Sequence, residues 1–490
     1  MDHLQLDRLF NPKTIAMIGA SSVPGKWGFM VLLNILKGGY AGTVYPVNPK
    51  GESILGLPCY RSIGEIPGTV DLAIITVPAS SVSSLIDDCG KKEIPNVIVI
   101  TSDFSETGHG GAILERHIVE KARGYGMRIV GPNTMGVFSA GPRLNALMPP
   151  VEPLHGPVSM FSQSGNVGTQ MLSWGAEEGV GFEKYVSSGN EGDLTCEDYL
   201  RYFGQDSASR VILAYLEGVD PGSRLLPVAR EISPRKPVIV FKGGRTRAGA
   251  HAAASHSGAI AGALGIYQAV FRQAGMIEVS STQGLVDCAK AFSLCPVPRS
   301  NRVAVLTRGG GWGVITADAL EENGLLLPPL PGDLVEKLDR ILPRYWSRGN
   351  PIDMVAVVTA EPFMACLEIL AQWEGVDAVL ALGGRTGKLA MGSFRSQEVL
   401  SRLGIEETAL ARMEATFSEG QRKVNALLRQ LMEQIGKPII SVTMGSNDGE
   451  PTESEERRTI TYPTPERAVR ALAALWQYRR IKDDVATTGQ

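Results

Sequence analysis

The chain has 490 residues, 43% of them hydrophobic, and a formal net charge of -3 at pH 7. A chain of this length is expected to form roughly three domains, and the balance of 48 Lys+Arg against 51 Asp+Glu provides no overall attraction to nucleic acid or to an anionic membrane. The six scattered cysteines form no CxxC pair, and no apolar stretch reaches membrane-spanning length. We therefore expect no export signal, no zinc site, no disulfide framework and a reducing, cytoplasmic setting.

Short apolar runs alternate with longer amphipathic segments in the first part of the chain. Strands are predicted at residues 14–19, 43–48, 71–78 and 96–102. Helix-like stretches lie between them, near 26–37, 80–92 and 110–125. This alternation is typical of βαβ units and predicts a parallel, doubly wound sheet.

Two further series of strands follow the first. The second comprises residues 156–162, 182–190, 209–218 and 236–244, with a helix expected from about Gly165. The third comes after a Pro-rich break at 295–302 and comprises residues 303–313, 377–384 and 437–445. We therefore expect an α/β protein with domains at residues 1–145, 146–297 and 298–490. The polar, acidic segment 446–458 is expected to be a surface loop.

The Gly-rich turn "GASSVPGKWG" (19–28) lies between a predicted strand and a predicted helix, where doubly wound folds bind phosphates. Five residues separate Gly19 from Gly25-Lys26 and Trp27 follows, so the turn is not a Walker A motif. It also lacks G-x-G-x-x-G, and Lys50 stands near the position of the expected acidic residue. A cation there suits a phosphorylated ribose, although such a turn can also bind nothing.

Three more loops follow strands of the same predicted sheet. They are "VPAS" (77–80), "TSDFSETG" (101–108) and "GPNTMG" (131–136). Because the carboxyl ends of parallel strands lie at one edge, these loops should border a single crevice.

The second series repeats this strand-to-helix arrangement in "FSQSGNVG" (161–168). Unpaired N–H groups and the helix dipole favour an anion at a helix N-terminus, and serine hydroxyls could add to such a site. Taken alone, Ser-x-Ser-Gly before an apolar periodic segment is most often just an N-cap.

The succession GAS-x-x-x-G, PVNPK, VP and GPN-x-x-G resembles the CoA-binding domain of the succinyl-CoA synthetase superfamily. It is most similar to the α subunit of ADP-forming (NDP-forming) acyl-CoA synthetases. The resemblance implies a Rossmann-like CoA-binding domain followed by two flavodoxin-like domains. It also implies that CoA is held by Gly19, Ser21, Ser22, Lys26, Asn48, Lys50, Val77, Pro78 and Asn133.

The segment "KGGRTRAGAHAAASHSGAIAG" (242–262) resembles the phosphohistidine loop of that family, with His256 as the phosphate carrier. Glu217, after a predicted strand, falls on the family position that orients the imidazole. The same resemblance assigns phosphate binding to Ser162, Ser164 and Gly165, and "SSGNEGDL" (187–194) matches the next Gly-rich loop of the family. His251 lacks the flanking Ser-His-Ser-Gly context and is not a candidate.

No segment resembles an ATP-grasp domain, so the family resemblance implies a separate ATP-grasp β subunit that binds Mg-ADP or Mg-ATP, in an α2β2 assembly. It implies reversible conversion of acyl-CoA, phosphate and ADP to carboxylic acid, CoA and ATP, without a metal site on this chain. The acyl group and the choice of ADP or GDP stay open. "RGGGWG" (308–313) could be a phosphate cradle or a tight turn for close packing.

Two alternative functions differ in class. An NADP-dependent Rossmann oxidoreductase would also use a cation such as Lys50, although G-x-G-x-x-G is missing. A non-catalytic CoA-binding regulator would need neither His256 nor Glu217.

Overall fold

The computed structural model describes residues 3–219, 224–257, 264–355, 359–383, 407–443 and 460–488. The chain divides into two structural units, Met1–Ala289 and Lys290–Gln490. Within the described residues, two β-sheets lie in the first unit and one in the second, with helices between successive parallel strands. The predicted α/β class is therefore confirmed.

The first sheet has five parallel strands in the order β2-β1-β3-β4-β5. Its strands are β1 (Thr14–Ile18), β2 (Thr43–Val47), β3 (Leu72–Ile75), β4 (Asn96–Val99) and β5 (Arg128–Val130). The accompanying helices are α1 (His3–Phe10), α2 (Trp27–Lys37), α3 (Ala79–Lys91) and α4 (His109–Gly124). Parallel strands are buried on both faces and therefore read as short apolar runs. In this sheet β3 is buried along its whole length and β1 along all but its first residue.

The strand order reverses beside β1, which makes the gap between β1 and β3 a topological switch point. Ile18 at the end of β1 pairs with Val47 on one side and with Ile75 on the other. Gly19, Asn48 and Thr76 directly follow these three paired residues. They therefore lie side by side at the edge of the sheet where such folds bind their ligands.

The second sheet has seven strands in the order β12-β11-β10-β8-β9-β6-β7. Its strands are β6 (Gly136–Ser139), β7 (Leu144–Leu147), β8 (His155–Ser162), β9 (Phe182–Ser187), β10 (Val211–Leu216), β11 (Val238–Lys242) and β12 (Ile277–Val279). The helices of this part are α5 (Gly165–Glu177), α6 (Cys196–Gln205), α7 (Leu225–Ile232), α8 (Arg247–Ser257), α9 (Leu264–Ala274) and α10 (Thr282–Leu294). The helix expected from Gly165 begins there.

Strands β6 and β7 form a hairpin that joins the second sheet from the end of the N-terminal segment. The two strands pair antiparallel, and β6 also pairs antiparallel with β9. The expected boundary at residue 145 falls inside β7. The segment that follows the first sheet thus supplies β6 and β7 to the second sheet, so strands of the second sheet lie on both sides of residue 145.

One hydrophobic cluster extends through both sheets of the first unit. In it, the ring of Phe10 from α1 stacks on Tyr202 from α6 with centroids 5.0 Å apart. The hydroxyl of Tyr202 donates to a carboxylate oxygen of Asp7 at 3.2 Å. Since full burial of an aromatic side chain stabilises a fold by about 1.5–3 kcal/mol, these contacts fix α1 and the first sheet against the second.

The second unit has one parallel five-stranded sheet in the order β14-β13-β15-β16-β17. Its strands are β13 (Val303–Thr307), β14 (Ile352–Asp353), β15 (Ala378–Gly383), β16 (Ile439–Thr443) and β17 (Thr461–Tyr462). Its helices are α11 (Gly310–Glu322), α12 (Gly332–Asp339), α13 (Ala360–Gln372), α14 (Glu407–Ile435) and α15 (Pro465–Thr488). The expected surface loop at 446–458 lies outside the described residues. Within the described residues, no helix combines the length and the hydropathy needed to span a membrane.

Candidate functional site

The Gly-rich turn after β1 is tightly packed against the next strand of the switch point. Gly19 has φ +85°, and a Cβ there would lie 2.8 Å from Thr76 Oγ1 and 2.9 Å from Val77 Cγ1. The turn is fixed locally because Ser21 Oγ accepts a hydrogen bond from Val23 N at 3.0 Å. Only glycine fits at position 19, since both its backbone conformation and its close approach to β3 exclude a side chain.

Two lysines lie on either side of this turn with their side chains in solvent. Lys26 is the exposed N-cap residue of α2, and Lys50 is exposed two residues after Asn48. Asn48 links the end of β2 to the turn because its Nδ2 donates to the carbonyl of Ala20 at 2.9 Å. Its Oδ1 accepts from Lys50 N at 3.0 Å. Two cationic groups thus border an edge that offers backbone N–H groups, a combination suited to an anionic ligand.

The remaining predicted CoA residues follow β3 and β5 at the same edge. Pro78, exposed, is the N-cap residue of α3, and the carbonyl of Val77 accepts from Thr101 Oγ1 at 2.6 Å. Asn133 is exposed with φ +57°, and its Nδ2 donates to Asn190 Oδ1 at 3.2 Å. Ser22, also exposed, belongs to the Gly-rich turn. All nine residues therefore follow the carboxyl ends of parallel strands, while their role in CoA binding stays a prediction.

The predicted phosphate-binding residues form the junction between β8 and α5. Ser162 is fully buried and its Oγ donates to the carbonyl of Ser164 at 2.6 Å. Ser164 is the N-cap residue of α5, and its Oγ accepts from Val167 N at 3.4 Å. A Cβ on Gly165 would overlap the side chain of Met135. Both serine hydroxyls are engaged in local structure, so an anion at this end would be held chiefly by backbone N–H groups of the first turn.

Glu217 lies directly after β10, next to this junction. Its backbone N donates to Gln163 Oε1 at 2.6 Å, and its Oε1 accepts from the hydroxyl of Tyr215 at 3.3 Å. Burial and the charge of Glu217 raise the pKa of Tyr215 to about 12, which keeps the phenol protonated as a donor. The Gln163 side chain thus joins Glu217 to the N-terminal end of α5.

Lys242, the last residue of β11, is a further member of the site that the sequence motif contained but did not assign. Its side chain is buried, and Nζ donates to the carbonyl of Glu217 at 2.7 Å and to that of Gly243. Nζ also lies 4.7 Å from the centre of the Tyr267 ring. Burial lowers the pKa of its ammonium group. Lys242 therefore holds the backbone carbonyl of Glu217, while Gln163 holds its backbone N–H.

His256 belongs to α8, the helix that follows the "KGGR" turn after β11. The backbone of α8 approaches the 3₁₀ turn Ser105–Thr107 of the first sheet. The side chain of His256 and residues 258–263 lie outside the described part of the chain. The structure thus positions the helix that carries the histidine in the same unit as the other candidate residues.

The loop "SSGNEGDL" after β9 connects the two sheets near this site. Its Ser188 N donates to the carbonyl of Ser162 at 2.9 Å. Asp193, whose side chain has no exposed surface, accepts from Arg123 Nε and from Arg128 Nε, both at 2.8 Å. It also accepts from the backbone N of Ile129 at 2.9 Å. This loop therefore holds β5, which precedes Asn133, against the junction of β8 and α5.

Other candidate features lie outside this edge. A cavity of about 160 Å³ is located at the C-terminal end of α2, lined among others by Asn34, Lys37 and His155. In the second unit, a Cβ on Gly310 would lie 2.9 Å from Asp353 Oδ2, which agrees with a tight turn at the start of α11. The described part of the chain contains no cluster of three or more His, Cys, Asp or Glu residues able to hold a metal ion.

Three sequence families match successive parts of the chain. Residues 13–140 match the family described as CoA binding domain, and residues 155–292 match the one described as succinyl-CoA ligase like flavodoxin domain. Residues 303–372 match the Ligase-CoA domain. These matches agree with the fold that the motif resemblance implied.

Full-length relatives and a solved structure extend the likeness over the whole chain. The chain is 36% identical to acetate–CoA ligase (ADP-forming) I subunit alpha of Pyrococcus furiosus, covering 98% of this chain and 99% of that protein. It is 38% identical to acetate–CoA ligase (ADP-forming) I of Archaeoglobus fulgidus over 97% of its own length, but spans only 64% of that longer protein. The structure matches, with a TM-score of 0.85 and 35% identity, the dinucleotide forming acetyl-coenzyme A synthetase 1 of Ca. Korarchaeum cryptofilum in complex with phosphate and ADP, covering 99% of this chain and 98% of that one.

Proposed function

The chain belongs to the family of ADP-forming acyl-CoA synthetases in the succinyl-CoA synthetase superfamily, and we propose that it acts as the α subunit of such an enzyme. In the proposed reaction, acyl-CoA, phosphate and ADP are converted reversibly to a carboxylic acid, CoA and ATP. The observation that carries this proposal is the hydrogen bond from Glu217 N to Gln163 Oε1 at 2.6 Å. It fixes the backbone of Glu217, which carries the carboxylate, to Gln163, and Gln163 directly precedes the N-cap of α5, a helix N-terminus suited to phosphate.

CoA would bind at the carboxyl edge of the first sheet. The Gly-rich turn at Gly19 and the exposed side chains of Lys26 and Lys50 suit the phosphate groups of CoA. The close contact between Gly19 and β3 supports a preformed crevice at the switch point, where doubly wound sheets bind their ligands.

The first chemical step would be attack of a phosphate oxygen on the thioester carbonyl of acyl-CoA. The new C–O bond gives acyl phosphate, and the C–S bond breaks so that the CoA thiolate leaves and takes up a proton. The N-terminal end of α5, from Ser162 to Gly165, would stabilise the phosphate by its backbone N–H groups and the helix dipole. The same groups would hold the acyl phosphate for the phosphoryl transfer that follows, which requires positioning and charge stabilisation from a protein.

In the second step, one ring nitrogen of His256 would attack the phosphorus of acyl phosphate. The P–O bond to the acyl group breaks, the carboxylate leaves and a phosphohistidine forms. Glu217 would accept a hydrogen bond from the other ring nitrogen, fixing the tautomer and stabilising positive charge on the ring. The helix of small residues that carries His256 would then deliver the phosphoryl group to ADP.

ADP would be bound by a separate β subunit with an ATP-grasp fold, together with Mg²⁺, in an α2β2 assembly in the cytoplasm. The naming of the Pyrococcus furiosus relative as subunit alpha supports this division, since the chain covers 99% of it. The matched relatives and structure give no support to an NADP-dependent oxidoreductase or a non-catalytic regulator.

The test is incubation of the purified chain with ³²P-phosphate and a panel of acyl-CoAs that includes acetyl-CoA. We expect acid-labile, alkali-stable label on the wild type and none on His256→Ala. His251→Ala is the matched control because that histidine lies five residues earlier on α8, and it should be labelled like the wild type. Label that is absent from all three proteins, with and without a candidate β subunit, would contradict the proposed function and favour a CoA-binding regulator.

A further inference from the structure

Lys242 ends β11 and begins the segment 242–262 that carries His256. The residue is only 1% exposed, whereas lysine is almost never fully buried unless it is paired. Taking an ammonium group out of water costs free energy unless polar partners replace the lost hydration. The partners of Lys242 therefore indicate what this buried charge does for the fold and for the site.

The ammonium group of Lys242 reaches over the ends of two neighbouring strands. In the parallel pair of β10 and β11, Lys242 lies opposite Leu216, so Glu217 and Gly243 are the first residues beyond the two strands. Nζ donates to the carbonyl of Glu217 at 2.7 Å and to the carbonyl of Gly243. Two of the three donors of the ammonium group are thus used on backbone that leads into the site.

The ring of Tyr267 also contacts this ammonium group. Nζ lies 4.7 Å from the ring centroid, and Tyr267 is itself buried, where attraction between a cation and an aromatic face is strongest. Tyr267 belongs to α9, the helix that follows the segment 242–262. Its hydroxyl accepts a hydrogen bond from the backbone N of Val219 at 3.1 Å. Lys242 and Tyr267 thus hold the turn after β10 at two points, Glu217 and Val219.

The two flanks of the segment that carries His256 therefore meet on the turn that carries Glu217. Lys242 is the first residue of the segment, and Tyr267 lies five residues after its end. Both contacts are made with the backbone of the turn, through a carbonyl oxygen and an N–H group. The backbone from Glu217 to Val219 is consequently held in place by residues that belong to the neighbouring segment.

We propose that Lys242 and Tyr267 are positioning residues that hold the Glu217 turn between the two flanks of the segment that carries His256. This inference rests on the proposed function, in which Glu217 accepts a hydrogen bond from the imidazole. A displacement of about 1 Å can lower the rate of a chemical step by about 100-fold. The shared attachment keeps the carboxylate and the histidine segment in a fixed relation where both leave the sheet.

The experiment measures the rate of ³²P transfer to His256 in Lys242→Met and Tyr267→Phe, at saturating phosphate and with the acyl-CoA that labels the wild type best. Methionine retains an unbranched chain but removes the charge and the donors, and phenylalanine retains the ring but removes the hydroxyl. We expect labelling to slow by about 10- to 100-fold in Lys242→Met and by about 3- to 10-fold in Tyr267→Phe. The KM values for phosphate and acyl-CoA should be unchanged, because the two residues act on the Glu217 turn and not on substrate binding.

Lys236→Met is the matched control for the loss of a buried lysine. Lys236 lies two residues before β11, at the end of the strand opposite Lys242. Its Nζ likewise donates to two backbone carbonyls, those of Phe203 and Asp206. The control should lose a comparable amount of stability, measured as melting temperature, and should be labelled at the wild-type rate. Calorimetric titration with CoA at the assay temperature gives the folded fraction to which each rate is normalised.

Labelling at the wild-type rate in either Lys242→Met or Tyr267→Phe would overturn the inference and leave the proposed function intact. Equal slowing in Lys236→Met would also overturn it, because the rate would then follow stability alone. If Lys242→Met fails to fold and binds no CoA, the rate of Tyr267→Phe decides the question by itself. A wild type that acquires no label would overturn the proposed function, and the role of both residues with it.

Discussion

The contact between Gly19 and β3 predicts a specific cost for a methyl group at that position. Gly19→Ala places a Cβ 2.8 Å from Thr76 Oγ1 and 2.9 Å from Val77 Cγ1, where ordinary contact begins at 3.4 Å. Gly68 is a matched control: its φ of +70° resembles the +85° of Gly19, nothing lies within 4 Å of its Cβ position, and it precedes β3 at the opposite edge of the sheet.

Both substitutions force alanine into the left-handed region, at a cost of about 1–2 kcal/mol each. In Gly19→Ala the new Cβ also overlaps Thr76 and Val77. Overpacking of this kind costs a further amount of about 1–3 kcal/mol. The variants should therefore differ by about 1–3 kcal/mol in free energy of unfolding, which corresponds to roughly 2–6 °C in melting temperature for a unit of this size.

The functional consequence is measured by calorimetric titration with CoA. Displacement of Val77 and of the Gly-rich turn should weaken CoA binding by at least about tenfold in Gly19→Ala, equivalent to roughly 1.4 kcal/mol. Gly68→Ala should bind CoA like the wild type. The reasoning is refuted if Gly19→Ala melts with Gly68→Ala and retains wild-type affinity for CoA.

Two further predictions concern the neighbouring residues. Asp193→Asn removes the charge of a buried carboxylate shared by two arginines, one of them 58% exposed, so thermal unfolding should show a loss of stability of about 2–3 kcal/mol. The control Glu152→Gln lies at an exposed ion pair and should change the stability by less than about 0.5 kcal/mol. Equal losses in the two variants would contradict the argument. Tyr215→Phe removes the hydroxyl that donates to Glu217. The rate of His256 labelling should fall by about 3- to 10-fold with little change in melting temperature, because one hydrogen bond of about 1 kcal/mol is lost. An unchanged rate would show that the hydroxyl has no part in holding the carboxylate.

Most of the parallel strands in the three sheets could be predicted from the sequence because each is a short, buried apolar run. The predicted strand at 14–19 is observed at Thr14–Ile18, and the one at 156–162 at His155–Ser162. Burial on both faces of such strands leaves a continuous apolar signal that needs no knowledge of the partner strand. The start of α5 could also be predicted, because Ser164 caps the helix with its own side chain.

The hairpin of β6 and β7 was not predicted. Its strands are only four residues long, at Gly136–Ser139 and Leu144–Leu147, and β6 also pairs with β9, 45 to 49 residues further along the chain. Nothing in their local sequence identifies that partner. Pairing of this kind is decided by tertiary contacts that a local pattern does not encode.

The polar contacts of the candidate site show the same limit. Gln163 and Glu217 are 54 residues apart in sequence, and Lys242 is 25 residues from Glu217. Motifs identified the loops that contain these residues, but the hydrogen bonds among them depend on the order of β8, β10 and β11 in the folded sheet. The resemblance to a known family supplied the proposed roles of His256 and Glu217, which spacing alone did not.

The hairpin of β6 and β7 also bears on how this protein could have been assembled in evolution. A segment that recombines freely must leave no unpaired strand edge behind in its former neighbour. Excision of the CoA-binding domain near residue 150 would remove β6 and β7 and expose β9 as a new edge of the second sheet. The region up to Ala289 is thus expected to be inherited and exchanged as one piece, and gene rearrangements in this family should join new segments beyond it rather than within it.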